Sequence, residues 1–166
     1  MKTMKKTLLL LAVLLGFAAG ASAQSKALGA RFGAGPLEIS YQHWFGDPNF
    51  AEVTGGLYFI NGSAFQVTGT YNWMLCEPDW TDRGNWGVYG GPGVTLGSAS
   101  VPVVGNRSGY VTTAMFGIVG QLGIEYTFWF PLQLSIDVRP VILGYANSFY
   151  SNPLGLIPTF SARYAF

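Results

Sequence analysis

From Phe160 to Phe166 the chain reads FSARYAF, placing Phe160, Ala162, Tyr164 and Phe166 in one alternate set and Ser161, Arg163 and Ala165 in the other. A period of two belongs to extended β-structure, where successive side chains point to opposite faces. One face is then oily and the other small or charged, and the stretch stops on an aromatic. That combination suits a strand of a transmembrane β-barrel, with lipid against one side and a polar interior against the other.

The alternation recurs along the chain. Segments with period two span 27–35, 37–45, 51–60, 64–75, 86–97, 110–128, 132–143 and 156–166. Gly35-Pro36, Asp47-Pro48-Asn49 and Asn61-Gly62 supply tight turns between the early ones. Polar or glycine-containing connections at 76–85, 98–109 and 144–155 separate later ones. The sixth segment exceeds the roughly 9–11 residues that a spanning strand needs, so part of it should project beyond a bilayer. Eight strands in hairpin order allow the first and last to pair and leave no open edge. The expected fold is therefore all-β: an eight-stranded antiparallel up-and-down transmembrane β-barrel over residues 24–166.

Composition supports a lipid-facing surface. Only 10% of residues are charged, against about 25% in an average soluble domain. No stretch beyond residue 23 has the ~20 apolar residues of a spanning helix, and lipid leaves unpaired backbone groups unsatisfied, so closure into a barrel is the remaining way to cross. Residues 1–23 carry Lys2, Lys5 and Lys6, an apolar run from Leu8 to Leu15, and Ala21-Ser22-Ala23. They read as a cleavable secretory signal peptide. Without those lysines the chain is slightly acidic and has no basic patch, which argues against a nucleic-acid partner. Cys76 is the single cysteine, so no intramolecular disulfide forms.

The candidate residues follow from the register. Arg31, Glu38, Glu52, Glu125, Asp137, Arg139 and Arg163 all alternate away from the oily face. They are expected to form a lumen charge network, because buried charges require partners. Glu125 and Asp137 flank one short turn as diagonal neighbours, with Arg163 or Arg139 the expected bridge. An ion pathway is the alternative use of the same residues. Trp44, Phe45, Phe50, Trp73, Trp86, Tyr126, Phe128, Trp129, Phe130, Tyr164 and Phe166 gather at the end where the termini meet. Tyr110, Phe149 and Tyr150 fall at the other, giving two interfacial girdles. His43 is the only histidine and lies on the oily face. It has no second imidazole for a metal and no serine two residues on, so no catalytic, cofactor-binding or metal-ligating residue is assigned.

The stretch FGIVGQLGIEYTFWFPLQLSIDVRP resembles the late hairpin of small outer-membrane β-barrel proteins of Gram-negative bacteria, of the OmpA, OmpX and OmpW type. Residues 31–45 and 161–166 fit the same pattern. The resemblance implies location in the cell outer membrane, no cofactor, and a terminal insertion signal at Phe160, Tyr164 and Phe166. It implies outer-membrane lipid, periplasmic chaperones and the barrel-insertion machinery as partners. The expected role is structural or interaction-based with a plugged lumen, and 98–109 and 144–155 could meet an unknown protein partner. A small pore for ions or solutes and an envelope lipid-modifying enzyme are the alternatives.

Overall fold

The computed structural model describes residues 25–33, 36–46, 48–58, 63–102, 110–145, 148–152 and 158–166. The signal peptide and the Asn61-Gly62 turn lie outside these. Ten strands are present among the described residues: β1 (Lys26–Gly33), β2 (Pro36–Trp44), β3 (Asn49–Tyr58), β4 (Ser63–Cys76), β5 (Asn85–Pro102), β6 (Tyr110–Thr127), β7 (Gln133–Val138), β8 (Val141–Tyr145), β9 (Ser148–Asn152) and β10 (Thr159–Ala165). Eight of them close a ring in the order β1-β2-β3-β4-β5-β6-β7-β10, with β10 returning to β1. Every pairing is antiparallel. The seam is sealed from Ala27↔Ala165 to Gly33↔Thr159, and Lys26 and Phe166 exchange both backbone hydrogen bonds at 3.1 and 2.8 Å.

Three expectations are corrected. The seventh strand is not continuous over 132–143: β7 and β8 lie end to end along β6, opposite Leu122–Thr127 and Met115–Val119 respectively. The break is at Arg139-Pro140, where proline has no N–H to give the ladder and its carbonyl accepts from the Gly120 N–H at 3.0 Å. Nor is 144–155 simply a loop, because β9 folds back on β8 within it. Likewise β5 continues to Pro102, into the connection expected at 98–109. It pairs with β6 over its whole length, from Asn85↔Thr127 to Pro102↔Tyr110. Both strands have 18 residues, about twice what one crossing uses.

The barrel is inside-out relative to a soluble domain. Leu37, Ile39, Val94, Leu96, Ile118 and Ile136 are exposed on the outer face, with Ile39 at 68%. The inner face buries Arg31, Glu38, Gln42, Glu52, Asn72 and Arg163 almost completely. Eight staves make a narrow cylinder, and inward glycines let neighbouring backbones approach. Gly29 is paired with Arg163 across the seam, and a Cβ there would stand 1.9 Å from the Ala162 carbonyl oxygen. Gly29→Ala should therefore strain the closing pair and destabilise the barrel by about 1–3 kcal/mol, the usual range for overpacking. Urea unfolding in detergent micelles measures it, and a midpoint equal to wild type contradicts the close approach.

Candidate functional site

Two arginine-centred clusters and a ladder of neutral side chains cross the lumen. In the first cluster Arg31 on β1 meets Glu38, its partner on β2, with Nη1 donating to Oε2 at 2.5 Å. Its other edge reaches across the seam to Asp137 on β7. Nη2 donates to Oδ1 at 2.5 Å and Nε to Oδ2 at 3.3 Å. A planar guanidinium can hold two carboxylates at once because its donors form a fixed fork. The remaining acceptor positions are used locally: Tyr58 Oη donates to Glu38 at 3.2 Å, Thr54 Oγ1 at 3.3 Å, and Thr159 Oγ1 donates to Asp137 at 3.1 Å.

Glu52 on β3 is the hub of the second cluster. Arg163 Nη2 donates to its Oε1 at 2.7 Å and Ser40 Oγ to the same atom at 2.8 Å. Gln121 Nε2 donates to Oε2 at 2.9 Å, and Arg139 Nη2 stands 3.4 Å from it. Arg163 also donates to Ser40 Oγ at 2.7 Å and Ser135 Oγ at 2.8 Å, and Arg139 to Thr54 Oγ1 at 3.0 Å. Arg163 thus joins β10 to β2, β3 and β7 through side chains alone. Opposite it, β4, β5 and β6 contribute two sets of uncharged hydrogen bonds of 2.5–3.2 Å, one among Gln66, Thr68 and Thr95 and one among Thr70, Asn72 and Gln121.

All seven charged residues singled out from the sequence are buried on this inner face. Their pairing differs from the expectation. Glu125 and Asp137 are diagonal neighbours, since Glu125 opposes Ser135 and Asp137 opposes Gly123. No arginine bridges them. Asp137 takes Arg31, while Arg163 and Arg139 both go to Glu52. Glu125 has no ion pair among the described residues, and its Oε2 is buried without a hydrogen-bond partner. Strand tilt decides which rungs face each other across the lumen, and alternation in sequence carries no information on tilt.

The aromatic girdle also needs correction at two positions. Phe50 shares the parity of Glu52 and Trp44 that of Gln42, so both side chains turn inward. Phe50 is fully buried, with its ring 4.5 Å from Trp44 and 5.2 Å from Tyr89. Tyr89 was not singled out, although its parity with Gly87 and Gly91 marks it as a lumen residue. It fits because Gly123 leaves its ring room: a Cβ there would stand 2.6 Å from the tyrosine ring. The outer belt holds Tyr126, Phe128, Trp129 and Phe130 in mutual ring contact, and a second run of Tyr41, His43, Phe45, Tyr71 and Trp73. His43 sits between Tyr41 and Phe45, with ring centroids at 6.4 and 5.0 Å. The side chains of Tyr110, Phe149 and Tyr150 lie outside the described residues. Of the terminal aromatics, Phe160 is exposed on the outer face and stacks on Phe32 at 6.1 Å, and Tyr164 stacks on Phe166 at 6.2 Å.

At the end where the termini meet, the lumen widens into a cavity of about 730 Å³, lined by Trp44, Met74, Glu77, Glu125 and Gln133 among others. The hydrogen-bonded clusters lie deeper in the barrel.

No protein-family model and no curated protein matches this sequence. The fold is similar to the crystal structure of the N-terminal β-barrel domain of Pseudomonas aeruginosa OprF. The TM-score is 0.64 at 10% sequence identity, covering 85% of this chain and 95% of that domain. At that identity the shared feature is the β-barrel fold.

Proposed function

We propose that this chain is an integral outer-membrane protein whose barrel is a lipid-embedded scaffold with a plugged lumen. Its role is structural or interaction-based. The observation that carries the reading is the pair of clusters around Arg31 and Glu52, which tie β1, β2, β3, β7 and β10 together across the interior with fully buried charges. The apolar outer face gives lipid a surface to solvate, and the similarity of fold to the OprF barrel domain agrees with that membrane. The long β5–β6 hairpin and the β8–β9 hairpin supply surface beyond the ring for a protein partner. The second reading, a small pore, draws on the wide cavity at the terminal end. His43, held between two belt aromatics on the outer face, serves an interfacial role better than lipid-modifying chemistry.

Insertion through periplasmic chaperones and the barrel-insertion machinery would read the terminal strand at Phe160, Tyr164 and Phe166. Because Lys26 and Phe166 are backbone partners, side-chain substitutions test this more cleanly than deletions. When the full chain is expressed in a Gram-negative host, wild type should fractionate with the outer membrane. Phe166→Ala should lower the inserted fraction severalfold and Lys26→Ala should leave it unchanged. Recovery of wild type in the soluble fraction contradicts the location, and equal insertion of the two variants contradicts the signal.

A further inference from the structure

Residues 77–84, between β4 and β5, carry the carboxylates of Glu77, Asp79 and Asp82 against the single cation Arg83. A connection of that composition is expected to stand off in water, yet it folds back onto the outer wall of the barrel. Tyr126 Oη on β6 donates to the Arg83 carbonyl at 2.6 Å. Gly84 turns the chain with φ at 72°, and a Cβ there would stand 2.6 Å from the same hydroxyl and 2.7 Å from the Thr127 carbonyl oxygen. Such a turn is open to glycine and strained for other residues. The Trp80 ring then lies 5.4 Å from Trp86, and Trp86 lies 4.7 Å from Tyr126. The Arg83 guanidinium reaches across to Trp129 in the β6–β7 turn, 6.0 Å from its ring centroid, within the range of a cation–π contact. Trp80 and Trp129 remain 63% exposed. This aromatic surface runs on into the oily wall, since Tyr126 opposes Leu134 and Ile124 opposes Ile136 in the ladder. An exposed apolar patch of this kind marks a contact surface, and an indole, apolar in body with one N–H, favours the headgroup layer of a bilayer. Carboxylates outnumber the guanidinium here, so the rings rather than attraction to an anionic surface supply the affinity.

We infer that the 77–84 connection is a membrane-interface anchor: Trp80 lies among the phospholipid headgroups at the end where the termini meet, and Gly84 and the Tyr126 hydroxyl fasten it to the barrel wall. The inference rests on the lipid-embedded reading above and extends it from the strands to a connection that its composition assigns to water.

The test uses the folded protein in phosphatidylcholine vesicles, with Cys76→Ser and a nitroxide on Asp79→Cys, an exposed position beside Trp80. Nickel held on a chelating lipid headgroup should relax this nitroxide severalfold more than the same concentration of a soluble nickel chelate. Adding phosphatidylglycerol should leave that ratio unchanged. Trp80→Ala, which removes the ring, and Gly84→Ala, which pushes the turn off the Tyr126 hydroxyl, should each lower the ratio severalfold. A second protein labelled at Ile136 reports on the barrel wall in the same vesicles. If Ile136 is sheltered from soluble nickel while position 79 is relaxed by it more than by headgroup nickel, the anchor is overturned and the embedded barrel stands. A ratio unchanged in Trp80→Ala, or one that depends on phosphatidylglycerol, also overturns the anchor. If soluble nickel relaxes Ile136 strongly, the embedded barrel falls and the anchor with it.

Discussion

Arg163→Ala should destabilise the barrel by about 3–5 kcal/mol, because it breaks a buried ion pair by removing one partner. Arg163 is 1% exposed and donates to Glu52, Ser40 and Ser135. Its loss leaves Glu52 with Arg139 at 3.4 Å as the remaining cation, and leaves the Ser135 hydroxyl without its donor. Paired replacement separates the loss of the bond from the loss of the side chain. Arg163→Met with Glu52→Gln removes both charges and keeps most of the volume, and swapping a whole buried pair for neutral groups costs far less than breaking it. The double variant should recover part of the stability, with the residue of the loss due to Arg139, which then has no carboxylate in contact. Urea unfolding in lipid vesicles measures all three proteins. An Arg163→Ala midpoint equal to wild type would show that the cluster carries no stability.

Ile136→Arg should cost about 2–4 kcal/mol if the residue lies at mid-depth, the range for a cation on the lipid face of a barrel. Ile136 is 44% exposed on the outer face, between Ile124 and Phe160 in the ladder. Arginine at the adjacent Ser135 acts on the other side of the sheet. It would bring a second guanidinium against Arg163 and perturb the lumen instead of the lipid contact. A nitroxide at Ile136 distinguishes the faces directly. Dissolved oxygen, which partitions into lipid, should relax it strongly, and a water-soluble nickel chelate should not. The opposite pattern would mean that the face is wetted.

Both predictions depend on a register that alternation made legible. Ser161, Arg163 and Ala165 share one parity and Phe160, Ala162, Tyr164 and Phe166 the other, and the chain folds with the first set inward. The same rule placed Arg31, Glu38, Glu52, Glu125, Asp137 and Arg139 inside. What the alternation could not supply was partnership. Arg31 and Asp137 are 106 residues apart and sit two staves from each other, so their contact is set by strand tilt and closure. Height along the barrel groups Phe50 with the interfacial aromatics, but its parity with Glu52 two residues on puts it on the inner face, where it is buried. Pro140 was the available signal for the break between β7 and β8. The β9 strand had no comparable signal, because Ser148, Asn152 and their neighbours show little apolar alternation.

Planar-bilayer recording of the purified wild-type protein tests the plugged lumen most directly. With Arg31 and Arg163 bonded across the interior, the account predicts no sustained conductance above the bilayer background at moderate voltage. In Arg163→Ala, discrete openings should appear as water enters the space left beside Glu52. A steady, large conductance in the wild type, unchanged in Arg163→Ala, would contradict the account and identify the barrel as an open pore.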